Sequence, residues 1–138
     1  MRQAVLILSL SIAACSHPAD PSEDLVPLDV SGTVTVEGQP RQGRVELWDS
    51  QGSDTFADDA RLDWAPSSPT GEYHLSTRVE RAGCGQFGDY YLRAEITGLV
   101  HRDTGEPRAW GGAVDVQCGI GQAVDIDIDL PDWLAWPP

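Results

Sequence analysis

The sequence contains no lysine, and arginine alone balances part of its 22 acidic residues, leaving a formal charge of −13. Such a charge repels phosphate backbones, which argues against nucleic acid as a partner, and it disfavours flat contact with anionic lipid. Only three cysteines occur, without the paired Cys-x-x-Cys or histidine-rich set of a zinc site. No segment shows convincing helical periodicity, and no internal repeat indicates a solenoid or propeller.

Long apolar runs are also scarce, and the N-terminal one is too short for the roughly 20 residues of a bilayer span. Arg2 precedes an apolar stretch over residues 4–11, and Ala13 and Ala14 directly precede Cys15. This arrangement resembles a bacterial lipoprotein signal, whose lipobox reads aliphatic, small, small, Cys. The resemblance implies a signal peptide over residues 1–14 and a diacylated sulfur on Cys15. A secretory peptide with an incidental cysteine and an uncleaved membrane helix are the alternatives.

The lipoprotein resemblance also predicts a location. A lipidated Cys15 would anchor the chain to a membrane of the cell envelope. Stable anchoring generally takes more than one acyl chain, and a diacylated or triacylated cysteine meets that condition. Ser16 in place of an aspartate after the cysteine suggests the outer membrane of a double-membrane bacterium. Residues 15–29 are rich in proline and acids, which predicts an extended tether.

The mature chain has the size of one domain with a single core. Without Arg2 it keeps eight arginines against 22 acidic residues, a formal charge of about −14. Cys84 and Cys118 remain after Cys15 is assigned to lipid, and two cysteines behind an export signal most often form a disulfide. A bridge closing about 35 residues would stabilise the fold by roughly 3–4 kcal/mol. A metal site is the competing interpretation of the two cysteines.

Apolar residues alternate with polar ones in several short segments, which predicts strands separated by turns. The segments lie at residues 30–36, 44–48, 61–64, 72–79, 90–96, 114–118 and 124–130. Residues 98–112 contain Gly105, Pro107 and the pair Gly111-Gly112, which indicates a long loop. The pattern predicts an all-β, Greek-key-type β-sandwich of about seven strands over residues 30–130, followed by a Trp- and Pro-rich tail over residues 131–138.

Three stretches also resemble a known family. Residues 30–47 begin Val-Ser-Gly-Thr-Val and continue through Gly-Gln-Pro to Gly-Arg-Val-Glu-Leu, residues 70–75 read Thr-Gly-Glu-Tyr-His-Leu, and residues 89–94 read Asp-Tyr-Tyr-Leu-Arg-Ala. Their order resembles the carboxypeptidase regulatory-like domains, which share the transthyretin-like sandwich. Arg44 departs from the family pattern, where a small residue is usual, and residues 50–68 form a long insertion. A fold of this kind does not by itself assign a function.

Two enzyme groups share this broad fold, and neither of their motifs is present. Hydroxyisourate hydrolases end in Tyr-Arg-Gly-Ser, whereas this sequence ends in Trp-Pro-Pro. Intradiol dioxygenases bind iron through two tyrosines and two histidines, and their ligand spacing is absent. No set of residues suited to nucleophilic catalysis stands out. A cryptic hydrolase or a metal-dependent enzyme therefore remains only an alternative.

Acidic clusters raise the possibility of calcium binding. Asp54, Asp58, Asp59 and Asp63 fall in a loop-like stretch, although the EF-hand spacing is missing. Asp125, Asp127 and Asp129 are expected on one side of a strand, where a solvated face that opposes edge pairing is favoured over a metal site. We therefore expect no resident cofactor, with Ca²⁺ at the first cluster as the alternative.

Five tryptophans are numerous for a chain of this size. Exposed tryptophans stack on sugars or anchor protein contacts, although large aromatic residues are mostly buried. Trp48, Trp64 and Trp110, expected near or within loops, are the candidate ligand-binding residues. The sequence thus predicts a lipid-anchored, non-catalytic binding or scaffold module with an envelope protein as its partner. Carbohydrate recognition through the same tryptophans is the alternative.

Overall fold

The computed structural model describes residues 24–50, 58–85 and 88–138. Residues 1–23, and with them the predicted signal peptide, Cys15 and most of the predicted tether, lie outside this part of the chain. Within it the chain is all-β, and it contains a short 3-10 turn at Arg81–Gly83. The strands are β1 Leu25–Val36, β2 Gln39–Pro40, β3 Arg44–Asp49, β4 Ala60–Pro66, β5 Glu72–Glu80, β6 Tyr90–His101, β7 Pro107–Asp115, β8 Gly119–Ala123, β9 Ile126–Ile128 and β10 Leu134–Ala135.

The first sheet is built around β1. Strand β5 pairs antiparallel with β1 along most of its length, with Gly32 opposite Tyr73. The turn at Glu37 and Gly38 has positive φ angles of 50° and 78°, and it returns the chain into β2. Strands β8 and β9 run parallel to β1. The sheet therefore mixes both pairing directions, which the sequence pattern did not indicate.

The second sheet is antiparallel throughout its described part. Strand β3 lies between β4 and β6, and β7 pairs with β6. The short strand β10 pairs with the last two residues of β6. A bulge in the β3–β4 pairing, between Leu47 and Trp48, breaks the simple two-residue alternation of β4.

The apolar faces of the two sheets pack against each other and form one core. This confirms the predicted β-sandwich, because each sheet contributes one buried row of side chains. Burying each such aliphatic side chain stabilises the fold by about 1.5–3 kcal/mol. The fully or almost fully buried residues of this core include Leu28, Val30 and Val34 of β1, Val45 and Leu47 of β3, Leu75 of β5, Leu92, Ala94 and Ile96 of β6, and Ile126 and Ile128 of β9.

Several element boundaries differ from the sequence prediction. Strand β1 begins at Leu25, so residues 25–29 belong to the sheet and not to the tether; Leu28 is completely buried. Strand β7 begins within the predicted loop over residues 98–112. Its first residue is Pro107, and a missing N–H is tolerated at the first position of a strand. The final regular strand is shorter than its alternation suggested, covering only Ile126–Ile128.

The predicted C-terminal tail takes part in the sandwich. Leu134 is 1% exposed, and it pairs in register with His101 at the end of β6. Residues 131–138 therefore belong to the sandwich and do not form the predicted separate tail; a two-residue strand is too short to show a period in the sequence.

The predicted disulfide is confirmed. Cys84 and Cys118 are bonded, with their Cα atoms 5.7 Å apart. The bridge joins the turn after β5 to the segment between β7 and β8. Across the described residues, no helix has the length and apolar character needed to cross a bilayer.

Candidate functional site

The outer face of the second sheet carries the most distinctive arrangement of side chains. We use the term outer face for the residues of β4, β3, β6 and β7 that alternate with the core-facing ones. The strand register places Glu46 between Trp64 and Arg93, and Trp48 between Arg61 and Tyr91. Two cross-strand rows therefore run over the sheet, Trp64–Glu46–Arg93–Ala113 and Arg61–Trp48–Tyr91–Asp115.

A buried carboxylate lies at the centre of this face. Glu46 is only 3% exposed, and its Oε1 accepts hydrogen bonds from Nε and Nη2 of Arg44 at 3.0 and 2.8 Å. Nη1 of Arg61 lies 3.7 Å from Oε2 of the same carboxylate. Charge-assisted contacts of this kind fix the orientation of both partners. Glu46 thus holds two half-exposed guanidinium groups in place on the outer face.

Aromatic side chains lie next to this charged group. Trp64, in register with Glu46, is 53% exposed. Trp48 is half-buried and lies opposite Tyr91 on the neighbouring strand. Cross-strand aromatic pairs favour close packing of the two rings. Together, the three aromatic residues provide apolar contact area beside fixed charges.

The Tyr91 hydroxyl is held on the same face. It donates a hydrogen bond to Oδ2 of Asp59 at 2.5 Å. Burial, reinforced by this hydrogen bond and by the charge of Asp59, raises the pKa of Tyr91 to about 12. Nearby, Nε1 of Trp48 and Oδ1 of Asp59 are buried and find no hydrogen-bond partner among the described residues.

A groove lies beside Tyr91. It has a volume of about 340 Å³ and is lined by Tyr91, Arg93 and residues 111–113, which read Gly-Gly-Ala. The small residues of β7 leave the sheet floor open between the larger side chains of β6. This volume falls within the range of small-molecule sites.

The structure brings together only two of the three candidate tryptophans. Trp48 and Trp64 share the outer face, where they lie on strands and not on loops. Trp110 is paired with core-facing Ile96, so it points to the opposite side of the sheet. Its Nε1 donates to the Asp129 carbonyl oxygen at 3.1 Å, and its ring packs edge-on against Trp133 at 5.4 Å. The three candidate tryptophans therefore do not lie on one face of the sandwich.

A second aromatic group surrounds the C-terminal residues. Trp133 lies 5.7 Å from the ring of His101 and is 41% exposed. The Arg41 guanidinium lies 4.4 Å from the ring centre of Trp136, in the geometry of a cation–π contact. These contacts fasten the C-terminal segment to the sandwich.

The acidic residues suggested for calcium do not form a cluster in the described part of the chain. Asp58 is exposed, and Asp59 is bonded to Tyr91. Asp63 accepts the backbone N–H of Trp64 at 2.8 Å and lies in register with core-facing Leu47. Asp54 lies outside the described residues. Within those residues no group of three or more histidine, cysteine, aspartate or glutamate side chains has the arrangement of a metal site.

The aspartates near the C-terminus act as structural acceptors. Oδ1 of Asp125 accepts the backbone N–H of Thr33 at 2.9 Å. Oδ1 of Asp127 accepts the Thr35 hydroxyl at 2.6 Å and the Gly38 backbone N–H at 3.0 Å. These hydrogen bonds lower the pKa of Asp127. The carboxylates fasten the returning chain to β1 and its turn, which goes beyond the solvated face expected from the alternation.

Sequence reasoning missed Glu46, Tyr91 and Arg93 as members of one surface. Each falls in a segment that the sequence predicts as a strand. Their adjacency depends on the pairing of β3 with β6, which joins residues more than 40 positions apart. Gly111, a small residue of this face, is a usable signal, but the sequence pattern placed it in the predicted loop over residues 98–112.

No protein-family model and no curated protein matches the chain. Among solved structures, the crystal structure of a 9R-lipoxygenase from Cyanothece PCC8801 is similar, with 18% sequence identity and a TM-score of 0.44. The match covers 84% of this chain and 18% of the lipoxygenase chain. The chain thus spans less than a fifth of that protein's length, and the low score carries no argument about function.

Proposed function

We propose that this protein is a lipid-anchored, non-catalytic binding module of the cell envelope, with the outer face as its contact surface. The observation that carries the proposal is the half-exposed Trp64 beside an arginine–glutamate group that is already fixed in the unbound protein. Tryptophan and arginine are the side chains most enriched at the energetic centres of interfaces. Prior fixation of the arginines reduces the ordering cost of binding.

The anchor is proposed from the lipobox at Cys15 and the apolar stretch before it. Ser16 supports placement in the outer membrane of a double-membrane bacterium. Mass spectrometry of the purified mature protein tests this directly. A triacylated or diacylated N-terminal Cys15 supports the anchor, and an unmodified N-terminus contradicts it.

The family proposed for the sandwich is the carboxypeptidase regulatory-like group with its transthyretin-like topology. Its support is the order of the turn and strand motifs in residues 30–94, which in this structure fall on strands β1, β3, β5 and β6. Members of that broad fold serve many roles, so the binding surface has to be argued from its own residues.

An envelope protein is the first candidate partner. We expect the lipidated protein, solubilised in detergent, to retain a specific envelope protein, and Trp64→Ala to lose it. His74→Ala is the matched control, because His74 is an exposed strand residue of the other sheet, where it pairs with Asp29. Equal retention by both variants would contradict the outer face as the contact surface.

Carbohydrate is the second candidate, and the groove beside Tyr91 favours it. A tyrosine ring and a guanidinium group flanking an open floor can stack on a sugar ring and bond to its hydroxyls. Glycans should then change the tryptophan emission of the protein and of the Trp110→Phe variant, but should have little effect on Trp48→Phe. An unchanged spectrum across a glycan panel would contradict this candidate.

A further inference from the structure

One isoleucine is far more exposed than the other large apolar side chains. Ile120 is 74% exposed, compared with 53% for Trp64, 45% for Leu62 and 41% for Trp133. A single exposed isoleucine on an ordinary surface needs no explanation. Ile120, however, lies in a bulge near the start of β8, where the pairing with β1 shifts register, and the construction and position of this bulge both set it apart. We call residues 119–121 the tip.

The tip, which follows the turn from β7 into β8, is held rigid. Gln122 accepts the Gln117 backbone N–H at 3.1 Å through Oε1, and its Nε2 donates to the Gln117 and Gly119 carbonyl oxygens at 2.5 and 3.2 Å. Gly119 and Gly121 flank the isoleucine with positive φ angles of 127° and 70°. The disulfide at Cys118 fastens the base of the turn. These contacts hold the backbone around Ile120 in one conformation, so little further ordering of the chain is needed when Ile120 makes a contact.

The tip lies at the end of the domain where the chain enters from Cys15. Strand β8 runs parallel to β1, with Gly119 opposite Leu28, so Ile120 lies near the start of β1. Nine residues separate Cys15 from Leu25. At no more than about 3.6 Å per residue, the reach from the acylated cysteine is at most roughly 36 Å. This end of the sandwich therefore remains close to any membrane that holds Cys15.

The residues around the tip carry no charge. Residues 116–124 read Val-Gln-Cys-Gly-Ile-Gly-Gln-Ala-Val, nine residues without a charge in a protein of net charge −13. An apolar side chain on an uncharged turn can enter the interfacial region of a bilayer without burying a charge, whereas most of this acidic surface cannot.

We propose that Ile120 inserts into the interface of the membrane that holds the acyl chains of Cys15. The inference rests on the proposed lipid anchor. The acyl chains supply the attachment, and the isoleucine supplies a second, fixed contact. This contact orients the sandwich so that the turn at residues 102–105, at the far end of β6, points away from the bilayer.

Environment-sensitive labels test this contact in the full-length lipidated protein. Ile120→Cys and Asp103→Cys variants each carry one free thiol, because Cys84 and Cys118 are paired and Cys15 is acylated. Each thiol is labelled with the fluorophore NBD, and the protein is bound to phosphatidylcholine vesicles containing nitroxide lipid. We expect a blue shift and strong quenching at position 120. Position 103 serves as the control and should show neither.

The possible outcomes separate the anchor from the tip. Vesicle flotation reports the anchor, so a protein that does not float overturns the anchor and the inference with it. A floating protein with an unquenched, unshifted label at position 120 overturns the tip contact alone. A blue shift without nitroxide quenching also overturns it, because the label is then covered by another protein or a second copy of this chain.

Discussion

The hydroxyl of Tyr73 donates a hydrogen bond to the carbonyl oxygen of Val124 at 2.5 Å. Tyr73 belongs to β5 and Val124 to the chain on the other side of β1, so the tyrosine ring crosses the central strand. It does so at Gly32, its register partner, which has no side chain to block the path. This relationship explains why glycine interrupts the apolar row of Val30, Val34 and Val36.

Replacing Gly32 by alanine should therefore destabilise the sandwich. A Cβ at this position would lie 1.8 Å from the Val124 carbonyl oxygen and 3.1 Å from the Tyr73 ring. Because the closer atom belongs to the backbone, relief requires a strand to move, and we expect a loss of about 3 kcal/mol or more in the free energy of unfolding. Urea denaturation measures it. Exposed Ser31→Ala is the control and should change stability by less than about 0.5 kcal/mol.

The three tyrosines should resist ionisation in the folded protein. Burial raises the pKa of Tyr73 to about 12, with a contribution from the charge of Asp125. Burial also raises the pKa of Tyr91 to about 12, and it raises the pKa of Tyr90. Absorbance at the tyrosinate band should therefore remain low at pH 10 in the native protein and rise there in the urea-denatured protein. Because the raised pKa belongs to the folded state, the resulting stability is present below pH 10 and is lost as the pH approaches 12. Titration of the folded protein near pH 10 would contradict this.

Asp127 should contribute stability that depends on acid pH. Hydrogen bonds from Thr35 and Gly38 lower its pKa from 3.8, so the folded state favours the carboxylate. That stability is present above the unfolded pKa and is lost as the pH falls through the folded one. Asp127→Ala should lower the urea midpoint at pH 7, and the difference should shrink below about pH 4. Asp103→Ala, a substitution in an exposed turn, is the control for the loss of one carboxylate.

The disulfide should stabilise the fold through the length of chain that it closes. Cys84 and Cys118 are separated by 34 positions, and the chain-entropy relation gives about 3–4 kcal/mol for such a loop. We expect the double variant Cys84→Ala, Cys118→Ala to lose about this much in urea denaturation. Adding reductant should lower the stability of the parent protein and leave the double variant unchanged. Equal stability of both proteins under oxidising conditions would contradict the expectation.

Much of the sandwich was accessible from sequence because its core rows are local. The alternation in residues 30–36 and 90–96 specifies which side chains face inward, and both rows are buried in the structure. Strand β7 escaped this reasoning because its glycines resemble a loop. Position 111 of the strand is a glycine for a reason that the local sequence does not show. A Cβ there would lie 2.5 Å from the Ala94 carbonyl oxygen, a contact that only the pairing with β6 creates.

The candidate site was harder to predict than the fold. Whether Trp48, Trp64 and Trp110 share a surface depends on strand register, and a shift of one residue reverses every side chain. Trp110 faces inward because it is opposite Ile96, and the bulge after Leu47 changes the alternation of β4 near Trp64. Neither feature is visible in the local sequence. The disulfide could be predicted from the count of cysteines that follow the proposed export signal.

Site-specific photo-crosslinking tests the central claim most directly. Benzoylphenylalanine would replace Trp64 on the outer face, and His74 on the opposite sheet as the control, in lipidated protein expressed in cells that carry their native envelope. We predict discrete, reproducible adducts with envelope material at position 64 and none at position 74. Adducts of equal yield at both positions, or adducts at position 74 alone, would contradict the outer face as the binding surface.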